Sequence, residues 1–597
     1  MLTGICCSCK IYTVKYEAEA PMSRDMKRFN TLTTPFENSS AEGWEVYPRP
    51  QLKRDSYISL CGTWSLFSRV GDTETAIGDI CVPFAPESRL SGIERTKEYC
   101  EKYIYRKSFF IDGSFVKGKV LLHFGAVDQI ARVFVNGKDA GEHTGGYLPF
   151  TLDVGSLICE GENHLSVEVT DTLDTELAYG KQRKDRGGMW YTPISGIWQA
   201  VWLESVPENY IKSLKITTSL DSVTICCDGG KEEKALTLHT ESGDTEYKFF
   251  GSTITLNIDS PKNWTPEAPY LYYFTLTDGE DTVDSYFALR TVTVEKRDGI
   301  PYICLNNKPC FFHGLLDQGY YPDGIYLPAT PEGYKWDILT MKELGFNMLR
   351  KHIKIEPEIF YYYCDLYGMI VFQDMVNSGK YHYVLDTVLP TIGMKKGITH
   401  KATKKRREHF EADSKNTADL LYNHPCVCYY TIFNEGWGQY DADRIYRLLK
   451  AWDSTRIWDT TSGWFAKKES DVKSEHIYFR KIKLSPSPER PLVLSEFGGY
   501  SLKISEHSFN NTDNYGYKTF HTKNSLTEGI RDLYISEIVP EIKKNGLCAT
   551  VLTQISDVED ETNGLCTYDR KVVKVDPTVM KNTAKELYSA FEEKTGK

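Results

Sequence analysis

Two β-sandwiches followed by a (β/α)8 barrel is the fold class this 597-residue chain predicts, a multidomain β plus α/β protein. Three observations carry it. The length exceeds what one hydrophobic core serves, so three or four domains are expected. From about residue 50 to 295 the apolar residues alternate with period two and are broken by Gly and Asn-Gly, with no helical period. After about residue 298 apolar strand-like runs alternate with amphipathic helical stretches over about 300 residues, the size of a (β/α)8 barrel.

Each element follows in order. Residues 1–25 read poorly as structure and are expected to be a disordered extension, with "MKRFNTLTTPF" from Met26 looking like the true start. Residues 26–206 form the first sandwich; "GKVLLHFGAVDQIARVFVNGKDAGEHTGGYLPFTLDV" (118–154) has β-branched alternation and a two-residue Asn-Gly hairpin at 135–138. Residues 207–296 repeat the pattern at about the size of an immunoglobulin-like domain, with a Pro-rich turn in "NWTPEAPYLYYFTLT". The barrel takes 297–597. Its eight strand candidates are "PCFFHGL", "NMLRKHI", "MIVFQDM", "CVCYYTIFNEGW", "RIWDTTSGW", "EHIYF", "PLVLSEFGGY" and "CATVLTQIS", joined by helices.

Composition excludes several function classes. A net charge of −11 argues against a dedicated nucleic-acid binder. No run of 18 apolar residues is present, which excludes a membrane-spanning helix and a membrane partner. The start lacks the apolar and small-residue pattern of a secretory signal, so a cytoplasmic location is expected. Most of the 16 cysteines sit singly in apolar runs and read as buried thiols. Cys6, Cys7 and Cys9 lack a second ligand pair at zinc spacing, and neither metal nor cofactor is expected.

The chemistry begins with "TIFNEGWGQY" (431–440). Active sites of such barrels lie at the C-terminal strand ends. Glu435 stands at that end of the fourth candidate strand, and Glu496 in "PLVLSEFGGY" at that end of the seventh. Two such carboxyls face each other across the mouth, which suits a retaining glycosidase: its pair stands ~5–5.5 Å apart. The roles need opposite environments, with Glu435 protonated and Glu496 ionised and held by donors. Asn434 is suited to bond the sugar 2-hydroxyl.

These motifs make the resemblance specific. "NEGWG" and "SEFGG", the order of domains, and "MWYTPISGIWQAVWLE" (189–204) resemble glycoside hydrolase family 2, and "VNGKDAGEHTGGYLPF" (135–150) resembles its β-glucuronidase branch. The resemblance covers almost the whole chain after residue 26. It implies a jelly-roll first sandwich, Glu435 as acid/base and Glu496 as nucleophile. It further implies that Arg350 stands beside the nucleophile and that Tyr478 donates to it. His352 and Asp374 hold the sugar, with His476 on the same face as Tyr478. His313 and Asp317 follow strand one and line the pocket, and Trp437, Trp464 and Trp190 offer flat faces for a sugar.

The sequence also departs from the pattern. β-Glucuronidases of the family carry Asn-x-Lys before a Gly-x-x-Thr-x-Asp-Arg stretch; here Glu561, Thr562 and Asn563 precede Gly564, and Glu561 would repel a uronate. The "VW" near the end of strand eight is replaced by Thr553-Gln554. Two glycones therefore stay open. A neutral β-galactoside, the favoured expectation, would be held by acidic acceptors Asp374, Asp557 or Glu559. A hexuronide would be held by other cations, for example Lys380, Arg480 or Lys481. A small carbohydrate is the expected partner, a β-mannosidase and a non-catalytic carbohydrate binder are the rivals, and a homo-oligomer is left open.

Overall fold

The computed structural model describes residues 31–38, 43–98, 101–230, 233–388, 390, 401–510, 512 and 515–596. The extension expected over 1–25, with Cys6, Cys7 and Cys9, lies outside them.

The first module is a sandwich of antiparallel strands. A six-stranded sheet, spatially ordered Thr73–Val82, Gly62–Val70, Lys102–Ile111, Gly161–Thr170, Ile130–Val135 and Lys138–Thr144, faces a four-stranded sheet containing Val201–Val206 and Lys119–Phe124. Trp64, Tyr105, Phe124, Val133, Val167 and Leu203 fill the layer between them. The expected Asn-Gly turn is there: Val135 pairs with Lys138, and Asn136 and Gly137 both take positive φ, 51° and 75°. That backbone matches the twist of the strands it joins.

A three-stranded and a four-stranded sheet, Ile211–Thr218 through Phe287, build the second module around Leu236, Phe274, Leu276 and Phe287. Buried Arg54 ties the two modules together, donating to Asp281 (2.8 and 2.9 Å) and to Glu204 (3.0 Å).

The barrel sheet has eight parallel strands. They are strand one (Phe312–Asp317), two (Met348–Lys351), three (Ile370–Asp374), four (Val427–Asn434), five (Ile457–Ser462), six (Lys473–Ile477), seven (Leu492–Gly498) and eight (Leu547–Thr553). Every one falls on a run singled out in the sequence. The ladder is continuous from five through one to eight, seven and six, and the seam between five and six is bridged by Ser474 Oγ donating to the Thr461 carbonyl (3.4 Å). Helical connections hold for most strand pairs, for example Glu332–Glu343, Glu358–Tyr367, Lys404–Leu421 and Ala442–Trp452. Residues 463–472 and 478–491 carry no helix. Both stretches are short, and the second has proline at Pro486, Pro488 and Pro491, which removes backbone donors. The described cysteines are free thiols. Among the described residues no helix is long and apolar enough to cross a membrane.

What positions the site is the docking of the first sandwich on the barrel mouth. The Tyr179 and Gly180 amides donate to the Asn377 carbonyl (3.1 and 3.4 Å), the Gly379 amide to the Thr175 carbonyl (2.6 Å), and the Thr192 amide to Glu559 (2.9 Å). Tyr191 donates to Glu561 (2.7 Å). The sandwich thus supplies part of the rim.

Candidate active site

Strand alternation aims every second side chain into the barrel. On strand two that side chain is Arg350, only 1% exposed. Its guanidinium knits four strands: Nε donates to Asp374 Oδ1 (2.9 Å), Nη2 to Asn434 Oδ1 (2.9 Å), and Nη1 to the Ser495 carbonyl (3.0 Å) and Glu496 Oε1 (2.9 Å). Asp374 Oδ2 meets His352 Nδ1 at 2.9 Å. Burial works against the Asp374 carboxylate, yet Arg350 and His352 outweigh it and hold its pKa below the ordinary value. The fork of Arg350 makes four bonds to these partners, and its removal strands buried charge. Arg350→Met is expected to destabilise the protein by about 3–5 kcal/mol, read as a lower denaturant midpoint. A midpoint unchanged from that of the parent chain would show that the guanidinium does not hold the rim together.

Glu496 receives a second donor on its other oxygen, the Tyr478 hydroxyl (2.5 Å), which also meets Thr553 Oγ1 at 2.9 Å. Burial, followed by the charge of Glu496, pushes Tyr478 well above its ordinary value, so the phenol keeps its proton and donates. Thr553, which with Gln554 replaces the expected "VW" at strand eight, therefore supports this tyrosine.

Glu435 is set differently. It follows strand four in the left-handed region, φ 53°, with its amide bonded to the Ser462 carbonyl (2.9 Å). Its carboxyl has no arginine; His476 Nδ1 lies 2.9 Å from Oε1. Burial raises its pKa, eased by the more distant charges of Lys181, His352 and Arg350. His476 is itself pushed down to about 3 by burial and is a neutral imidazole. Its Nε2 lies 3.0 Å from Ser462 Oγ, which donates to Ser495 Oγ (2.9 Å), and that hydroxyl reaches the Glu475 carbonyl (3.3 Å). Nε2 also lies 3.4 Å from Arg350 Nη1, so Ser462 and Arg350 both face that nitrogen while Nδ1 faces Glu435. One oxygen of Glu435, one of Glu496 and a ring nitrogen of His476 all lie within 4.8 Å of one another. This trio is also the one described group whose spacing suits a cation, but Arg350 and Tyr478 already fill Glu496 with donors.

The structure brings Glu435, Glu496, Asn434, Arg350, His352, Asp374, Tyr478 and His476 together. Trp464 stands half-buried at the mouth, its ring 6.2 Å from that of His476. Trp437 and Trp190 are buried and meet edge to face at 5.1 Å, with Tyr381 against both. They form one wall rather than open platforms.

Four expectations are corrected. His313 points out of the barrel, its ring against Phe346 and Tyr534 and its Nδ1 on the Gly345 carbonyl. Asp317 has the same parity on strand one and pairs with outward Lys351 (2.5 Å). Neither lines the pocket, because inward and outward residues alternate along a barrel strand. Lys380 and Arg480 are exposed and pair with neither carboxyl, since the loops carrying them turn to solvent.

The acceptors expected for a neutral sugar are likewise engaged. Both Asp374 oxygens are taken, Asp557 pairs with Lys574 (2.6 Å), and Glu559 with Arg186 (3.0 Å). Sequence reasoning missed Lys181 in the basic stretch "GKQRKDRGG" (180–188), which belongs to the first sandwich and carries no barrel signal.

A barrel rim with one glutamate whose pKa burial raises and one held by arginine, under a docked sandwich, defines the glycoside hydrolase class of architecture. The chain belongs to glycosyl hydrolases family 2: its sugar binding domain matches residues 91–207, the central "Glycosyl hydrolases family 2" region 209–290, and its TIM barrel domain 295–511. A β-galactosidase of Thermoanaerobacter pseudethanolicus is 30% identical over 295 residues, 45% of this chain and 39% of that protein. A putative β-glucuronidase of Formosa agariphila is 26% identical over 282 residues, 42% of this chain and 32% of that one. The chain thus spans well under half the length of these relatives. Among solved structures, a β-D-glucuronidase of Dictyoglomus thermophilum superposes with a TM-score of 0.72 at 19% identity, covering 91% of this chain and 98% of that one. A galacturonate-bound family 2 β-galacturonidase of Eisenbergiella tayi gives 0.65 at 18%, covering 90% and 99%. At those identities the likeness speaks to fold.

Proposed function

We propose that the chain is a retaining exo-β-glycosidase. Glu496 attacks the anomeric carbon while Glu435 gives its proton to the departing glycosidic oxygen, leaving a glycosyl ester on Glu496. Glu435, now a carboxylate, takes a proton from water as that water displaces Glu496. The sugar leaves with its original β configuration, and both carboxyls return to their starting states.

The observation that carries this reading is the approach of the two carboxyls to within 4.8 Å in opposite environments. An inverting pair stands ~6.5–9.5 Å apart to admit a water between them. Donors from Arg350 and Tyr478 suit a nucleophile, and burial without a paired arginine or lysine among the described residues suits an acid. The wall of Trp190 and Trp437 beside the mouth favours action at a chain end. The names of the relatives, β-galactosidase and β-glucuronidase, agree with a β-linked terminal sugar.

Proton NMR of the first product from an aryl β-glycoside tests the stereochemistry. The β anomer is expected to appear first and the α anomer only later by mutarotation. An α product in the opening minutes would end the retaining reading.

A further inference from the structure

The charged groups around the mouth are nearly all matched inside the protein. Arg350 is shared by Asp374 and Glu496, Arg186 by Glu559, and Lys574 by Asp557. Lys181 and Arg183 are different: among the described residues neither forms an ion pair, and both lie over the Trp190 ring, 5.5 and 5.0 Å from its centre, but Arg183 is exposed whereas Lys181 is half-buried.

Its position is imposed by the fold. Gly180 has φ +63°, and a Cβ there would lie 2.7 Å from the Tyr147 hydroxyl and 3.0 Å from the Ile353 carbonyl, so the chain passes tightly between sandwich and barrel. The Lys181 carbonyl then accepts from the amide of Tyr191 (3.1 Å), the tyrosine whose own hydroxyl holds Glu561. The side chain runs along Trp190, which abuts Trp437 two residues beyond Glu435. Lys181 is therefore held between the end of strand four and the segment after strand eight. Its charge is the foremost cationic influence on both Glu435 and Glu561 and also acts on His352, yet it touches none of them closely enough to pair. An ammonium with no ion pair among the described residues, standing beside these strand ends, suits an anion.

The geometry points to Lys181 as the reader of a carboxylate on the glycone, making the substrate a β-hexuronide recognised from the sandwich domain. This rests on the glycosidase reading above and names its sugar class. Glu561 does not oppose it. Its Oε2 is already engaged, accepting from Tyr191 (2.7 Å) and Gln554 (2.9 Å), and burial raises its pKa, which weakens its repulsion of a neighbouring carboxylate. A neutral hexose would leave the ammonium desolvated and unmatched, which is the penalty that lets a polar site reject an analogue.

The test compares kcat/KM for p-nitrophenyl β-glucuronide, β-galacturonide and β-galactoside in the full chain, in Lys181→Met and in Lys181→Arg. The unsubstituted protein is expected to prefer a uronide. Lys181→Met is expected to lower the uronide-to-galactoside ratio about 10- to 150-fold, the range for a hydrogen bond to a charged group, and Lys181→Arg to recover part of it. A galactoside hydrolysed faster than both uronides by the parent protein overturns the inference while leaving the glycosidase reading intact, and this holds even if a variant fails to fold. A ratio unmoved in a folded Lys181→Met overturns it too. Hydrolysis of none of the three by the parent protein overturns the inference, and if p-nitrophenyl β-mannoside is not hydrolysed either, the glycosidase reading falls with it.

Discussion

Replacing Glu496 with glutamine is expected to lower kcat/KM on an aryl β-glycoside by about 10⁴- to 10⁶-fold, the scale seen when a nucleophile is removed. The amide is nearly isosteric, and its oxygen still accepts from Arg350 Nη1, now 2.9 Å from Glu496 Oε1. Its NH2 cannot accept from Tyr478, but that hydroxyl has Thr553 Oγ1 at 2.9 Å as an alternative partner. Arg350 keeps Asp374 and Asn434 in any case. The barrel should therefore unfold at nearly the same denaturant concentration as the parent, so that lost turnover reports chemistry rather than collapse. Residual hydrolysis within about tenfold of the parent would assign the nucleophile elsewhere.

The barrel was legible because parallel strands buried on both faces read as nearly unbroken apolar runs. Strand four, "VCYYTIFN", and strand seven, "LVLSEFG", are buried throughout. A carboxyl at the end of such a run stands out, which is why Glu435 and Glu496 could be named together. Parity was not legible. His313 and Asp317 belong to a strand buried on both faces, so nothing in its composition distinguishes the lumen side from the helix side. Lys351 makes the point from the other direction: beside inward Arg350 it turns outward to take Asp317 and Glu356 (2.8 Å). Lys181 was hidden for another reason. Its approach to Glu435 comes from docking of two domains, sealed by bonds such as Tyr179 Oη to the Gly379 carbonyl (2.8 Å), and no local pattern encodes a contact of that range. The helix-free links 463–472 and 478–491 follow from the same limit, since the barrel rule predicts a crossover but only local chemistry decides whether it is helical.

Removing the carboxyl of Glu435 should separate its two duties. With alanine there, an aglycone that needs protonation loses about 10²- to 10⁴-fold in kcat/KM, whereas a dinitrophenyl leaving group, already stable as an anion, should cleave at nearly the parent rate in the first step. The second step then slows, because no base takes the proton from water, and added azide should restore turnover as a β-glycosyl azide since that nucleophile carries no proton. The pH profile supplies an independent check. Burial places the Glu435 carboxyl above its ordinary pKa, with His476 the neutral partner at Oε1 and Lys181, His352 and Arg350 the charges that face it, alongside Asp386 and Glu496. The acid must hold its proton to act, so activity is present below that raised pKa and is lost as pH rises through it. In Glu435→Ala this alkaline limb should flatten for the dinitrophenyl substrate. Equal losses for both leaving groups, with the alkaline limb unmoved, would mean that the proton comes from another group.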